Sequence, residues 1–237
     1  MSNTSFQFKQ FTVYHDLCAM KVGTDGVLLG AWAPAETATK ILDIGTGSGL
    51  IALMLAQRSQ AAITAIDIDE GAIRQTNINF RQSPWNSRMR VIAASLQEFS
   101  LQSPGTFDLI VSNPPYFVNA LKSGQSSRDH ARHTDTLPLK TLIHCTAQLL
   151  STSGKASFVF PADGADQLED IAWEEHLFLN NRTDVSNNEG GKPKRILMTF
   201  SFSRESAVRE RLALRDINNE YTNAFKALCG DYYLNLK

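Results

Sequence analysis

The chain is poor in the patterns that mark metal, membrane or export. Only three of its 237 residues are cysteine, and Cys18, Cys145 and Cys229 stand far apart. No CxxC pair and no Cys/His ligand spacing is present, which argues against a disulfide framework and a zinc site. The five histidines are scattered too. Only His130 and His133 lie close together, in a polar stretch with no third ligand nearby. No metal is therefore expected. No apolar run reaches bilayer-spanning length, and the first residues lack a basic-then-apolar signal. A cytoplasmic protein without a membrane partner is expected. The formal net charge is −1, so there is no global basic field, and any nucleic-acid contact has to use a local patch.

What is there is ordinary globular material, 43% hydrophobic and 20% charged. A chain of this length can bury a sizeable core as one α/β domain. Repeats and domain-splitting linkers are absent, so residues 1–237 read as a single unit, with residues 1–38 as an N-terminal cap. That segment carries Phe6, Phe8, Phe11 and Val13, able to pair at an edge or cap a pocket, and then an apolar helical stretch from Val27 to Trp32.

Strand and helix patterns alternate from residue 40 onward. Lys40–Ile44, Ala62–Ile68, Arg90–Ala93, Phe107–Val111 and Lys155–Phe160 read as strands. Leu50–Arg58, the segment from Asp69 through Arg81, Pro138–Leu150 and Ala165–His176 read as helices. Phe178–Ser186 and Ile196–Ser203 alternate as a strand pair around a loop containing Gly190, Gly191 and Pro193. The tail from Glu205 shows weak helical periodicity. This order predicts a parallel sheet covered on both faces, ending in an antiparallel hairpin. The hairpin loop then falls on the ligand-binding edge and brings Lys192, Lys194 and Arg195 to it.

The chemistry concentrates where Phe107–Val111 stops at Asn113-Pro114-Pro115-Tyr116. Consecutive prolines cannot continue a ladder, so the chain leaves the sheet at a strand's carboxyl end, where open α/β sheets bind ligands. An amide oxygen and a carbonyl there can accept both N–H groups of a conjugated amino nitrogen, and an aromatic ring can stack on its ring. Positive charge developing on that nitrogen meets prearranged dipoles. The same four residues also fit a plain Pro-Pro loop with Tyr116 at the surface.

A second cluster follows the first predicted strand. Gly45-Thr46-Gly47-Ser48-Gly49 is a glycine loop between strand and helix. The dinucleotide pattern needs its third glycine at position 50, which is Leu50. Asp67 stands 22 residues beyond Gly45 (67 − 45), a spacing that suits a carboxylate accepting ribose hydroxyls. Asp43 can fix the loop or meet a cationic group. The bland alternatives are a turn cap for Asp43 and a helix-start acid for Asp67.

Together, Leu42-Asp-Ile-Gly-Thr-Gly-Ser-Gly49, Ala65-Ile-Asp-Ile-Asp69 and Asn113-Pro-Pro-Tyr116 resemble the signature set of class I S-adenosylmethionine-dependent methyltransferases. The resemblance implies a Rossmann-like, seven-stranded, mostly parallel sheet of order 3-2-1-4-5-7-6 with an antiparallel last strand. Phe8–Val13, Cys18–Gly26, Leu28–Trp32, Arg128–His133 and Gly191–Arg195 make the chain similar to the tRNA1(Val) adenine-N6 methyltransferases over nearly its whole length. That family methylates the adenosine at position 37, beside the anticodon. The resemblance implies S-adenosylmethionine as cofactor, held by Asp43, Gly45, Thr46, Gly47, Gly49, Asp67, Ile68 and Thr24. Asn113, Pro114, Pro115 and Tyr116 are the implied catalytic set. Phe117, Arg128, Arg132, His133, Lys192, Lys194 and Arg195 are the candidate contacts to tRNA, and a monomer is expected. Many class I enzymes place an acid after the third strand to read the cofactor's adenine; here Ser95 or Gln97 stands near that place. Protein-glutamine methylation, methylation of DNA adenine or rRNA guanine, and a non-catalytic cofactor-binding RNA module remain as alternatives.

Overall fold

The computed structural model describes residues 4–18, 20–102, 106–114 and 137–236. The chain opens with a two-stranded antiparallel ribbon, β1 (Ser5–Gln7) and β2 (Thr12–Tyr14), followed by α1 (Thr24–Trp32). Strand and helix then alternate through β3 (Lys40–Ile44), α2 (Leu50–Arg58), β4 (Ala62–Asp67), α3 (Glu70–Gln82), β5 (Met89–Ala93), α4 (Leu96–Gln102) and β6 (Phe107–Ser112). The alternation continues with α5 (Leu139–Leu149), β7 (Leu150–Pro161) and α6 (Ala165–Glu174). After these come β8 (Phe178–Asn188), β9 (Arg195–Ser201), β10 (Val208–Arg215) and α7 (Asn223–Cys229).

Among the described residues the central sheet has eight strands in the order β5-β4-β3-β6-β7-β9-β8-β10. Every neighbouring pair is parallel except those of β9, which runs antiparallel to both β7 and β8. Seven of these strands follow the expected order. The eighth, β10, corrects the strand count, and it makes the first part of the tail a strand, while the helix α7 occupies the later part. Its sequence, Val208-Arg-Glu-Arg-Leu-Ala-Leu-Arg215, is rich in helix formers. Pairing with β8 at the sheet's open edge overrides that local preference, and its charges suit an edge. The helix α4 is a further element that the sequence pattern does not announce.

The sheet is a middle layer. Apolar runs such as Ile41 and Leu42 in β3 or Leu109, Ile110 and Val111 in β6 are fully buried because helices cover both faces. One face packs against α1, α2, α3 and α7 through Leu28, Leu53, Phe80 and Phe225. The other packs against α4, α5 and α6 through Phe99, Leu142 and Leu168. Each such side chain contributes about 1.5–3 kcal/mol on burial. The two ends of the chain are clasped together. Lys9 N–H donates to the Tyr232 carbonyl at 2.8 Å, and Tyr232 Oη donates to the Met54 carbonyl at 3.1 Å. Phe8 lies stacked on Phe11 with 4.7 Å between ring centroids.

Candidate active site at the carboxyl edge of the sheet

The chain order in the sheet reverses between β3 and β6, which lie side by side. Loops leaving two such strands diverge and open a crevice at their carboxyl ends. The glycine loop follows β3, and Asn113-Pro114 follows β6. Ser112 Oγ donates to the Ile44 carbonyl at 2.9 Å and ties the two strand ends together just before both loops.

The glycine loop is shaped mostly by backbone bonds. Gly45 and Thr46 amides both donate to the Ile66 carbonyl, at 3.0 and 3.1 Å. The Gly47 amide donates to Asp67 Oδ2 at 2.9 Å, and Asp67 Oδ1 accepts the Asp69 amide at 3.0 Å. Asp69 caps α3 by accepting the Ala72 amide at 2.7 Å. Gly45 and Gly47 have nothing within 4 Å of where a Cβ would stand. Gly49 differs. At φ +80° its missing Cβ would lie 2.9 Å from the Phe80 ring and 3.2 Å from Thr76. It therefore serves the packing of the loop on α3, whereas the first two glycines leave open space.

Asp43 is fully buried. Thr46 Oγ1 donates to its Oδ2 at 2.7 Å, while its Oδ1 has no hydrogen-bond partner among the described residues. Burial pushes its carboxyl up to about 7 against the opposing pull of the Thr46 hydroxyl and the Ala52 amide, and the nearby Asp67 charge adds to the rise. Thr46 itself is buried, and Ile68 is 60% exposed just past β4. Thr24 is exposed at the start of α1. Asn113 is half-buried and Pro114 buried. Pro115, Tyr116, Phe117, Arg128, Arg132 and His133 lie outside the described residues.

The β8–β9 loop stands at the same edge as the other ligand-side loops, because β8 is parallel to β7. Lys192 and Lys194 are exposed there. A groove of about 480 Å³ beside them is lined by Lys192 and Arg211 together with Asp184 and Glu189, so its charge is mixed. Arg195 is already matched: its Nε lies 2.8 Å from Asp25 Oδ1, in the first turn of α1. Ser95 and Glu98 form a capping box on α4, with Ser95 Oγ donating to Glu98 Oε2 at 2.8 Å and accepting the Glu98 amide at 3.2 Å. Gln97 is exposed beside them.

The methyltransferase small domain family model matches residues 19–163. A Bacteroides thetaiotaomicron protein, tRNA1(Val) (adenine(37)-N6)-methyltransferase, is 49% identical over 240 residues, covering 100% of both chains. The chain belongs to the tRNA1(Val) (adenine(37)-N6)-methyltransferase family. A Pectobacterium carotovorum relative of the same name is 42% identical, covering 97% of this chain and 93% of its own. Among solved structures, a predicted O-methyltransferase from Agrobacterium tumefaciens superposes with a TM-score of 0.71 at 15% identity, over 88% of this chain and 96% of that one. Pyrococcus horikoshii TYW2 in complex with MeSAdo superposes at 0.57 and 14% identity, over 85% and 73%. These two likenesses are of fold.

The family's cofactor is S-adenosylmethionine, and the residues present fit it. The molecule offers a carboxylate, an amino group, a sulfonium centre, ribose hydroxyls and adenine. The N-cap of α2 is Gly49 and brings no side chain; the Ala52 amide bears on Asp43, and the other amides of this helix start suit an anion. The buried Asp43 carboxylate suits a cationic group, and Asp67 suits the ribose. One feature of this edge is not evident from the sequence: Gln75, Thr76 and Asn79 of α3 are buried polar residues bonded to the loops. Three polar residues recurring on the inward stripe of an amphipathic helix are the available signal. Among the described residues, no group of three or more His, Cys, Asp or Glu is placed to hold a metal.

Proposed function

We propose that the chain transfers the methyl group of S-adenosylmethionine to the N6 amino group of the adenosine at position 37 in a valine tRNA. Identity of 42–49% over essentially the full chain with relatives bearing that name carries the reading. When bound, S-adenosylmethionine supplies a methyl already activated by the sulfonium sulfur. Asp67 accepts the ribose hydroxyls, the open faces of Gly45 and Gly47 admit the cofactor's backbone, and Asp43 faces its cationic end. Thr24 and Ile68 complete that side. Asn113 Oδ1 and the Pro114 carbonyl accept the two N–H groups of the target amine and hold its nitrogen in line with the methyl. Tyr116 or Phe117 stacks on the base. The proton leaves after transfer, so no dedicated general base is needed. The target base comes out of its stack to reach the pocket, which is cheaper in a loop than in a duplex.

In this reading Arg128, Arg132, His133, Lys192 and Lys194 contact phosphates. Arg195 contributes through Asp25, by fixing the start of α1. Residues 1–38 cap the site within one domain, and the protein acts as a monomer in the cytoplasm, where tRNA is. The test is incubation with labelled S-adenosylmethionine and unmodified tRNA, with DNA and a protein extract in parallel, followed by digestion of the tRNA to nucleosides. Label in N6-methyladenosine, mapped to one valine tRNA, is the expected result. Label in the protein extract moves the activity to glutamine methylation.

A further inference from the structure

The inward face of α3 is polar where a core-packed helix is normally apolar. Gln75, Thr76 and Asn79 are 1%, 0% and 1% exposed. The large majority of buried amides and hydroxyls in folded proteins are bonded, and each of these three is bonded to backbone. Asn79 Oδ1 accepts the Tyr14 amide at 3.0 Å, and its Nδ2 donates to the Tyr14 carbonyl at 2.8 Å and to the Ser48 carbonyl at 2.7 Å. Gln75 Oε1 accepts the Leu17 amide at 2.9 Å. Thr76 Oγ1 donates to the Gly47 carbonyl at 2.8 Å. Two segments far apart in sequence thus share one support. Residues 14–18 are held by Gln75 and Asn79, and the glycine loop is held by Thr76 and Asn79. Of these three side chains, Asn79 is the one bonded to both.

The chemistry of the amide explains why this position is asparagine. Its oxygen and nitrogen pair with both backbone groups of Tyr14, as a neighbouring strand would. Its second N–H then remains for Ser48, at a fixed angle to the first. The segment 14–18 also lies directly on the first turn of α3. A Cβ on Gly71 would stand 2.3 Å from the Leu17 carbonyl oxygen. That turn begins three residues after Asp67, at the carboxyl end of β4, so the segment lies beside the proposed cofactor edge.

We propose that Asn79 is a positioning residue that couples residues 14–18 to the glycine loop, so that cofactor binding and closure of this strap form one cooperative step. The inference rests on the placement of the cofactor at the glycine loop given above. It is tested on the full chain with S-adenosylhomocysteine as the probe, by calorimetry and by backbone hydrogen exchange with and without the probe. Wild-type protein gains protection in residues 14–18 as well as in 45–50. Gln75→Met, which removes the bond to the Leu17 amide, weakens binding several-fold. Asn79→Ala weakens it about tenfold, and adding Gln75→Met to Asn79→Ala produces little further loss. Protection confined to residues 45–50 overturns the coupling, as do effects of the two substitutions that simply multiply. Should Asn79→Ala fail to fold, the wild-type exchange pattern and Gln75→Met decide. Asp67→Asn separates the two readings: unchanged affinity there overturns the cofactor placement itself, and the coupling with it.

Discussion

Asp67 accepts the Gly47 amide at 2.9 Å, so the carboxylate ending β4 shapes the loop that ends β3. Its other oxygen accepts the Asp69 amide at 3.0 Å. The carboxylate is therefore fixed before any ligand arrives, with one lone pair on each oxygen still to offer. Preorganisation of this kind lowers the ordering cost of binding. Asp67→Asn places an NH₂ against one of the two amides and removes the charge. S-adenosylhomocysteine affinity is expected to fall at least about tenfold, while far-ultraviolet circular dichroism stays native. Calorimetry on the variant measures this, and an unchanged dissociation constant would rule out the ribose role.

Asp43 gives a pH signature. Burial lifts its carboxyl from 3.8 to about 7, so between those values the folded state holds a proton that the unfolded chain has released. Stability of the ligand-free protein therefore falls as pH rises through that window, by at most about 1.4 kcal/mol per unit, and levels off above it. Asp43→Asn removes this contribution. The difference in unfolding free energy between variant and wild type, from urea titrations at pH 5 and 7.5, should favour the variant more at the higher pH. A ligand whose cationic group sits beside Asp43 favours the charged carboxylate. Affinity for S-adenosylhomocysteine should accordingly rise from pH 5 to 8 in the wild type and stay flat in the variant.

The parts legible in the sequence are those where local pattern and tertiary demand agree. The helix at Leu50–Arg58 has the same limits in pattern and in structure, because a glycine N-cap precedes an apolar stripe. The order of seven strands follows from alternation and handedness. β10 is not legible, since Arg209, Glu210 and Arg211 face an open edge and only pairing with β8 makes the segment a strand. The strap support is hidden for another reason. Gln75, Thr76 and Asn79 look like surface polar residues until Tyr14, Leu17, Gly47 and Ser48 are brought to them. Arg195 sits in a basic run that suggests a phosphate contact, whereas the fold delivers Asp25 to it.

That ion pair separates two kinds of basic residue in the run from Lys192 to Arg195. Lys192 and Lys194 are exposed, and truncating both should weaken tRNA binding and flatten its salt dependence, by about 0.7–0.9 in log–log slope for each phosphate left without its cation. Arg195→Ala should leave that slope nearly unchanged and instead weaken S-adenosylhomocysteine binding, because Asp25 and the start of α1 lose their anchor. Filter binding over roughly 50 to 200 mM salt distinguishes them. An equal slope change for Arg195→Ala would return that residue to the RNA surface.

Asn113 carries the most demanding prediction. It follows β6, whose end is tied to β3 by the Ser112–Ile44 bond at 2.9 Å, so its place is set by the sheet. In the proposed mechanism its oxygen accepts an N–H that becomes more acidic as the methyl is transferred, an interaction stronger in the transition state than in the ground state. Asn113→Ala should lower kcat about 10²–10³-fold, leave the KM for S-adenosylmethionine within a few-fold, and keep S-adenosylhomocysteine affinity at the wild-type value. Asn113→Asp keeps an acceptor and should recover part of the rate. Single-turnover methylation of unmodified valine tRNA, read beside calorimetry, separates the chemical step from binding. Wild-type turnover in Asn113→Ala would exclude the amide from the reaction, and an equal loss of cofactor affinity would make it a structural residue of the crevice.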